Sequence, residues 1–138
     1  IFLDLKKAFD SMNHAILEGK LKLYGVIAFL LNGVWVYLSD RKQQTFIDGA
    51  PSRFCNVTSG IPQDSIAGPL LFTIYIYDLP SSNLFSKPKM YADDTTLTSS
   101  VENPCILEHT MNYDMKLISH WLNTIKLTLN MKLTLNVN

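Results

Sequence analysis

Residues 89–99 read Lys89-Met-Tyr-Ala-Asp-Asp-Thr-Thr-Leu-Thr-Ser99, and much of the fold follows from them. Apolar and β-branched residues stand on both sides of Asp93-Asp94, and such residues favour strands. Aspartate is a common turn former. The stretch therefore predicts two antiparallel strands joined by a tight turn, with both carboxylates at its tip.

The hydrophobic pattern along the rest of the chain predicts a mixture of strands and helices. We expect a strand over 1–5, a break near Asp10-Ser11, and a second hairpin from 44–48 and 53–57 around a turn at 49–52. The apolar spacing predicts helices over 13–25, 27–38, 65–79 and 107–122. A repeated hexamer, 126–131 and 132–137, alternates apolar with polar residues and predicts a last strand over 127–137. The predicted fold class is α+β, an antiparallel sheet with helices packed on one face.

Composition indicates one globular domain. Of the 138 residues 47% are hydrophobic and 17% charged, and the formal net charge is zero, so any contact with nucleic acid must be local. Two cysteines are too few for a disulfide scaffold. No apolar stretch approaches the roughly 18 residues of a membrane span. We expect an intracellular protein with no membrane contact, and the opening at Ile1 within a strand leads us to expect a fragment.

Three carboxylates are the residues with the clearest chemical potential. Asp4 lies at the end of the first predicted strand, and Asp93 and Asp94 lie at the predicted hairpin tip. Carboxylates about 4 Å apart repel by about 4 kcal/mol per pair at an effective dielectric of 20. A divalent cation with oxygen ligands removes that repulsion. From spacing alone the alternative stays open that Asp93-Asp94 is only a turn and Asp4 a solvated strand end.

Three ordered motifs point to a family. They are Phe2-Leu-Asp-Leu-Lys-Lys-Ala-Phe-Asp10, Ser59-Gly-Ile-Pro-Gln-Asp-Ser-Ile-Ala-Gly-Pro-Leu-Leu-Phe72 and Tyr91-Ala-Asp-Asp94. In this order and at this spacing they resemble the reverse transcriptase domain of non-LTR (LINE-type) retrotransposons. The resemblance extends over nearly the whole chain and includes 24–25, 37–41, 76–80 and 126–130.

The resemblance implies a reverse transcriptase palm in which carboxylates hold metal ions. By position, Asp4 and Asp93 ligate two Mg²⁺ ions, or Mn²⁺ in their place, Asp94 completes the site, and the carbonyl of Leu5 adds a ligand. The implied reaction adds dNTPs to the 3′-hydroxyl of a DNA primer on an RNA template. Residues 1–138 would form a palm fragment without the start of the fingers and without the thumb. The family implies a nuclear or cytoplasmic location.

Further residues acquire roles only through the resemblance. Phe9 corresponds to the aromatic residue that packs beneath the sugar and excludes a 2′-hydroxyl, although by itself it reads as a core phenylalanine. Gln63 corresponds to the residue along the template and the incoming base pair, and otherwise it is a polar residue at a helix start. The segment formed by Pro62, Gln63, Asp64 and Ser65 is expected to contact the template.

The missing fingers and thumb, together with two departures from the family pattern, lead us to expect that the isolated fragment is inactive. Asp64 stands where the family has a glycine, and the aspartate adds a side chain and a negative charge near polyanions. Leu133 stands where the family has a lysine that helps pyrophosphate leave. The alternatives are a degenerate, non-catalytic transposon remnant, or a small RNA-binding module with a palm-like sheet, which stacking aromatics on the sheet face would favour.

Overall fold

The computed structural model describes residues 1–62, 65–79 and 83–134, the last four of these by backbone alone. The helices are α1 (Ala8–Ser11), α2 (His14–Leu23), α3 (Ala28–Leu38), α4 (Ala67–Ile76) and α5 (Pro104–Thr124). The strands are β1 (Phe2–Leu5), β2 (Lys42–Gln43), β3 (Phe46–Ile47), β4 (Ala50–Pro51), β5 (Cys55–Asn56), β6 (Lys87–Tyr91), β7 (Asp94–Thr98) and β8 (Leu129–Thr134). The mixture of helices with antiparallel sheet confirms the α+β class.

The main sheet has the strand order β6-β7-β1-β8, and every pairing in it is antiparallel. The first strand of the chain thus lies between the second strand of the hairpin and the last strand. Because β1 is central, residues from both ends of the chain and from its middle meet at one end of this sheet.

The predicted hairpin is present, but its turn differs from the expectation. Tyr91 pairs with Asp94, so Ala92 and Asp93 form a two-residue loop and Asp94 is already the first residue of β7. Ala92 has a φ of +51°, as a two-residue hairpin turn requires. The expectation of both carboxylates at the tip is therefore wrong for Asp94, because the tight turn accommodates only two residues.

The predicted second hairpin has its turn elsewhere and is divided into two short ladders. Ile47 pairs with Ala50, so Asp48 and Gly49, with φ values of +50° and +80°, form the turn instead of 49–52. The outer ladder joins β2 to β5. An Asp-Gly pair favours a two-residue turn, which overrides the Gly-to-Ser loop expected from composition.

Local signals explain several helix boundaries. The side chain of Asn13 accepts a hydrogen bond from the Ile16 amide (3.1 Å) at the start of α2. Asn103 likewise accepts from the Cys105 amide (2.9 Å), so α5 begins earlier than the predicted 107. The break expected near Asp10 is a four-residue helix, α1, which follows Lys7 in the left-handed region.

The end of α5 shortens the last predicted strand. Lys126 has a φ of +58°, and the Leu127 amide donates to the Leu122 carbonyl (2.9 Å). This is a helix-ending motif with a left-handed residue after the last turn. The strand consequently begins at Leu129 instead of 127, and residues 135–137 of the prediction lie outside the described residues.

Helices cover one face of the main sheet. Leu3 and Leu5 of β1 and Leu97 of β7 are buried, and a small cavity lined by Leu3, Leu5 and Ile76 of α4 also touches α5. Phe2, on the other face of β1, is 50% exposed. The sheet therefore has a covered face and an open face. Among the residues that the structure describes, no helix combines the length and apolarity needed to cross a membrane.

Candidate active site

Two of the three predicted carboxylates lie just beyond the paired part of β1 and β7. Phe2 pairs with Thr96 and Leu3 with Thr95, and Asp4 and Asp94 are the next residues of the two strands beyond the second of these pairs. Asp93 lies one residue before Asp94 in the hairpin turn. All three thus lie at the end of the sheet where β6 and β7 meet, with Asp94 exposed and Asp4 and Asp93 half-buried.

Asn130 contacts the predicted site residue Asp4, and the sequence analysis did not identify this contact. Asp4 pairs with Asn130 across β1 and β8, and the Asn130 Nδ2 donates to the Asp4 Oδ2 (2.8 Å). This hydrogen bond orients the Asp4 carboxylate. The alternation of polar residues at even positions near the C-terminus was a usable signal, because it assigns Asn130 to the polar face of its strand.

The donor atoms fit a hard divalent cation, but their side chains are not gathered into a cluster. Aspartate oxygens are ligands that Mg²⁺ prefers. Within 1–62, 65–79 and 83–134, no group of three or more His, Cys, Asp or Glu side chains is arranged to hold a metal ion. The fit therefore rests on donor type and on the strand register of Asp4 and Asp94.

Phe9 lies in α1, directly after the strand that carries Asp4. It is half-buried and its ring stacks on Phe72 of α4, with centroids 4.6 Å apart and an interplanar angle of 28°. Leu5, whose carbonyl was expected to bind metal, is buried and pairs with Leu129. The stacking fixes Phe9 against the core, and its other predicted role remains a prediction.

A close backbone contact joins the loop before Pro62 to α1. The Gly60 amide donates to the Met12 carbonyl (2.8 Å), and the Ile61 amide donates to the Phe9 carbonyl (2.9 Å). Gly60 has a φ of +78°, and a Cβ there would lie 2.6 Å from the Asp10 carbonyl oxygen. Only glycine fits, so this residue holds the second motif against the first.

The segment expected to contact the template is described only at its two ends. The Ser65 Oγ donates to the Pro62 carbonyl (2.8 Å) and accepts from the Gly68 amide (2.9 Å), which closes the start of α4. Gln63 and Asp64 lie outside the described residues, and Leu133 is described by its backbone in β8.

The start of the hairpin is held by a buried carboxylate that sequence analysis missed. Asp114 of α5 is 0% exposed and accepts hydrogen bonds from the Phe85 amide (3.0 Å), the Ser86 amide (2.8 Å) and the Ser86 hydroxyl. These contacts fasten the entry of β6 to α5. The only sequence signal was an acidic residue one position from the apolar stripe of the predicted helix.

Tyr75 and Lys20 join the helices beneath the site. The Tyr75 hydroxyl donates to the Ile125 carbonyl (2.5 Å) and accepts from the Asn13 amide (3.2 Å). Burial raises the pKa of Tyr75 above its usual 10.0. The Lys20 ammonium donates to the Tyr75 carbonyl and to the Asp78 carboxylate, both at 2.5 Å. These contacts fix α2 and the C-terminal end of α5 against α4.

Comparisons with known proteins agree with the resemblance seen in the motifs. A family model described as reverse transcriptase (RNA-dependent DNA polymerase) matches residues 1–135. The chain is similar to a probable RNA-directed DNA polymerase from transposon X-element of Drosophila melanogaster, 36% identical over 104 residues that cover 71% of this chain and 11% of the relative. It is also similar to a probable RNA-directed DNA polymerase from transposon BS of the same species, 32% identical over 113 residues, which are 72% of this chain and 12% of that protein.

A third relative is an RNA-directed DNA polymerase from mobile element jockey of Drosophila funebris. It is 31% identical over 118 residues, which cover 79% of this chain and 12% of the relative. The chain therefore spans only about a tenth of the length of the curated relatives it matches.

Proposed function

Because the chain belongs to the reverse transcriptase family, in the lineage of LINE-type retrotransposons, we propose that it forms the palm of an RNA-directed DNA polymerase. The reaction adds dNTPs to the 3′-hydroxyl of a DNA primer that is paired with an RNA template. The observation that supports this proposal is the pairing of β1 with β7 up to Leu3 and Thr95, which leaves Asp4 and Asp94 as the next residues of the two strands, close to the hairpin turn.

Three carboxylates would hold the divalent cations in this proposal. Asp4 and Asp93 are the proposed ligands, Asp94 completes the site, and the Leu5 carbonyl is a further ligand. When bound, two Mg²⁺ ions activate the attacking hydroxyl and stabilise the charge of the leaving phosphate. Strand ends and a two-residue turn are rigid supports, and phosphoryl transfer depends mainly on positioning and charge stabilisation.

Other residues of the chain would orient the reactants. Asn130 keeps the Asp4 carboxylate directed toward β8 through its hydrogen bond. Phe9 lies under the sugar of the incoming nucleotide, and its stacking on Phe72 supports this role because a wall that excludes a 2′-hydroxyl must be rigid. Pro62, Gln63, Asp64 and Ser65 follow the template.

A thermal-shift experiment tests the metal site. Mg²⁺ or Mn²⁺ at a hundredfold excess over its dissociation constant stabilises a protein by about 2.7 kcal/mol if it binds only the folded state. Asp93→Asn should abolish the rise in melting temperature. The matched control is Asp48→Asn, because Asp48 also lies in a two-residue hairpin turn but in a two-stranded sheet separate from the main sheet that contains Asp4.

The outcomes separate a specific site from general cation binding. We expect the wild type and the Asp48→Asn variant to shift equally. Equal shifts in wild type and Asp93→Asn would show that the cation acts elsewhere. The polymerase reaction itself is tested in a chimera in which this chain replaces the matching segment of a related element, by RNA-templated primer extension that Asp4→Asn abolishes.

A second candidate is a remnant of the same lineage that no longer catalyses. Asp64 in place of the family glycine and Leu133 in place of the family lysine favour it. A chimera that binds the cation at Asp93 but does not extend primers supports this candidate over the active palm.

A further inference from the structure

The open face of the main sheet carries a row of residues from the edge strand β6. Lys87 pairs with Thr98, Lys89 with Thr96, and Tyr91 with Asp94. The intervening residues of β6 pair with the buried Leu97 and Thr95. Since side chains alternate between faces, Lys87 and Lys89 lie on the face of Asp94 and away from the helices.

Both lysines are available for a ligand. They are exposed, and in the described part of the chain neither forms an ion pair. The net charge of the chain is zero, so these two ammonium groups are a local feature and not part of a general positive field. Measured along β6 from the residue that pairs with Asp94, Lys89 lies about 7 Å and Lys87 about 14 Å away. Both distances are near the screening length of about 10 Å at 0.1 M salt.

The negative charge of the carboxylates opposes binding of a nucleic-acid strand, and nearby positive charge offsets this repulsion. A nucleic-acid strand that ends at Asp4 and Asp94 carries a phosphate on every nucleotide, and the carboxylates repel it. A strand that runs from the hairpin turn along β6 first meets Lys89 and then Lys87. The two lysines are about 7 Å apart along β6, so they can contact neighbouring phosphates of one strand.

We propose that Lys87 and Lys89 bind the phosphate backbone of the primer strand just upstream of its reacting end. This surface rests on the proposed polymerase function, because that function assigns the 3′-hydroxyl to the carboxylate end of the sheet. The contact is independent of base sequence, since ammonium groups bind phosphates as point charges. The lysines thus hold the strand in register while base pairing with the template carries the sequence information.

Binding of a fluorescent RNA–DNA hybrid with a recessed DNA 3′ end tests the surface, with anisotropy recorded between ~50 and ~200 mM salt. We compare the chain with the double variant Lys87→Gln/Lys89→Gln. The control is Lys22→Gln/Lys116→Gln, which removes the same charge from exposed positions on α2 and α5. In parallel, lysine acetylation is followed by mass spectrometry with and without the hybrid.

The proposal predicts a selective loss. The Lys87→Gln/Lys89→Gln variant should bind about 10- to 100-fold more weakly at low salt, with a slope of log K against log salt that is smaller by about 2. The control should change less than about twofold. The hybrid should slow acetylation of Lys87 and Lys89 but not of Lys116.

Three results would overturn the proposal. Equal losses in both double variants would indicate bulk charge, and no binding by the wild-type chain would remove the surface altogether. Unchanged binding combined with aggregation of the Lys87→Gln/Lys89→Gln variant would assign the lysines to protection of the sheet edge. Primer extension by the chimera is a separate measurement, so its failure with hybrid binding intact counts against the proposed function and not against this surface.

Discussion

Replacing Gly60 by alanine tests the contact that joins the first two motifs. A Cβ at Gly60 would lie 2.6 Å from the carbonyl oxygen of Asp10 and 2.7 Å from the Cα of Asp10. Both are backbone atoms, which cannot rotate away. The left-handed φ of +78° costs an L-residue about 1 kcal/mol. The loop must also move off α1 and lose the hydrogen bonds to Met12 and Phe9, each contributing about 1 kcal/mol.

We therefore expect Gly60→Ala to lower the free energy of unfolding by about 3 kcal/mol. Gly25→Ala is the matched control, because Gly25 has the same φ of +78° and no atom within 4 Å of its Cβ position. It should cost only the conformational part, about 1 kcal/mol. Gly19→Ala, exposed within α2 and with open space around its Cβ position, should stabilise by about 0.5 kcal/mol or more.

Urea unfolding followed by circular dichroism measures the free energy of unfolding of all three variants. We expect the slope of this free energy against urea concentration to be the same in each. A difference of less than about 0.5 kcal/mol between Gly60→Ala and Gly25→Ala would refute the reasoning, because the close contact would then contribute nothing. A destabilised Gly19→Ala variant would show that the helix does not form as described.

Three further predictions concern the support of the site. Asp114→Ala should lower the free energy of unfolding by about 3 kcal/mol, because the buried amide and hydroxyl donors of 85–86 lose their acceptor. Urea unfolding measures this loss, and a loss below about 1 kcal/mol would contradict the prediction. Tyr75→Phe should cost about 1–2 kcal/mol at neutral pH through the lost hydrogen bond to Ile125. Since the folded-state pKa of Tyr75 is raised above 10.0, the tyrosine favours folding below pH 10.0 and this contribution is lost as the pH rises through the folded value. Melting temperatures across alkaline pH should therefore fall less steeply in Tyr75→Phe, and parallel curves would contradict the burial effect. In the chimera, Asp64→Gly should raise primer extension by roughly one to two orders of magnitude, with a smaller gain at high salt, if repulsion from a phosphate about 6 Å away contributes about 1–3 kcal/mol. Equal extension before and after the change would show that Asp64 is tolerated and would leave Leu133 as the remaining candidate cause of inactivity within the chain.

The family and the fold class were accessible from the sequence because their signals are local. Alternating residues around Asp93-Asp94 predict a hairpin. Apolar spacing predicts four helices, which the structure shows as α2, α3, α4 and α5. Three motifs in order identify the lineage, and the family match over 1–135 together with the relatives from Drosophila transposons confirms it. The metal, nucleotide and template roles of the site residues remain predictions.

The errors also have local causes. Both hairpin turns were assigned by composition, but the pairing of strands over several residues decides which two residues the turn contains. Asp94 consequently belongs to β7, and Asp48 with Gly49 replaces 49–52 as the second turn. The last strand was extended to 127, although the left-handed Lys126 ends α5 and uses the Leu127 amide.

Local periodicity and turn chemistry act between neighbours in the chain, so the sequence already contains the hairpin, the helices and the three motifs. Contacts between distant segments depend on which strands and helices pack together, and only the tertiary structure reveals them. Asn130 meets Asp4 across 126 positions of sequence, and Asp114 meets Ser86 across 28. Periodicity assigns Asn130 to the polar face of its strand, but it identifies the partner in neither contact, because each consists of one polar pair whose hydrogen bonds form only after β8 and α5 have packed against the sheet.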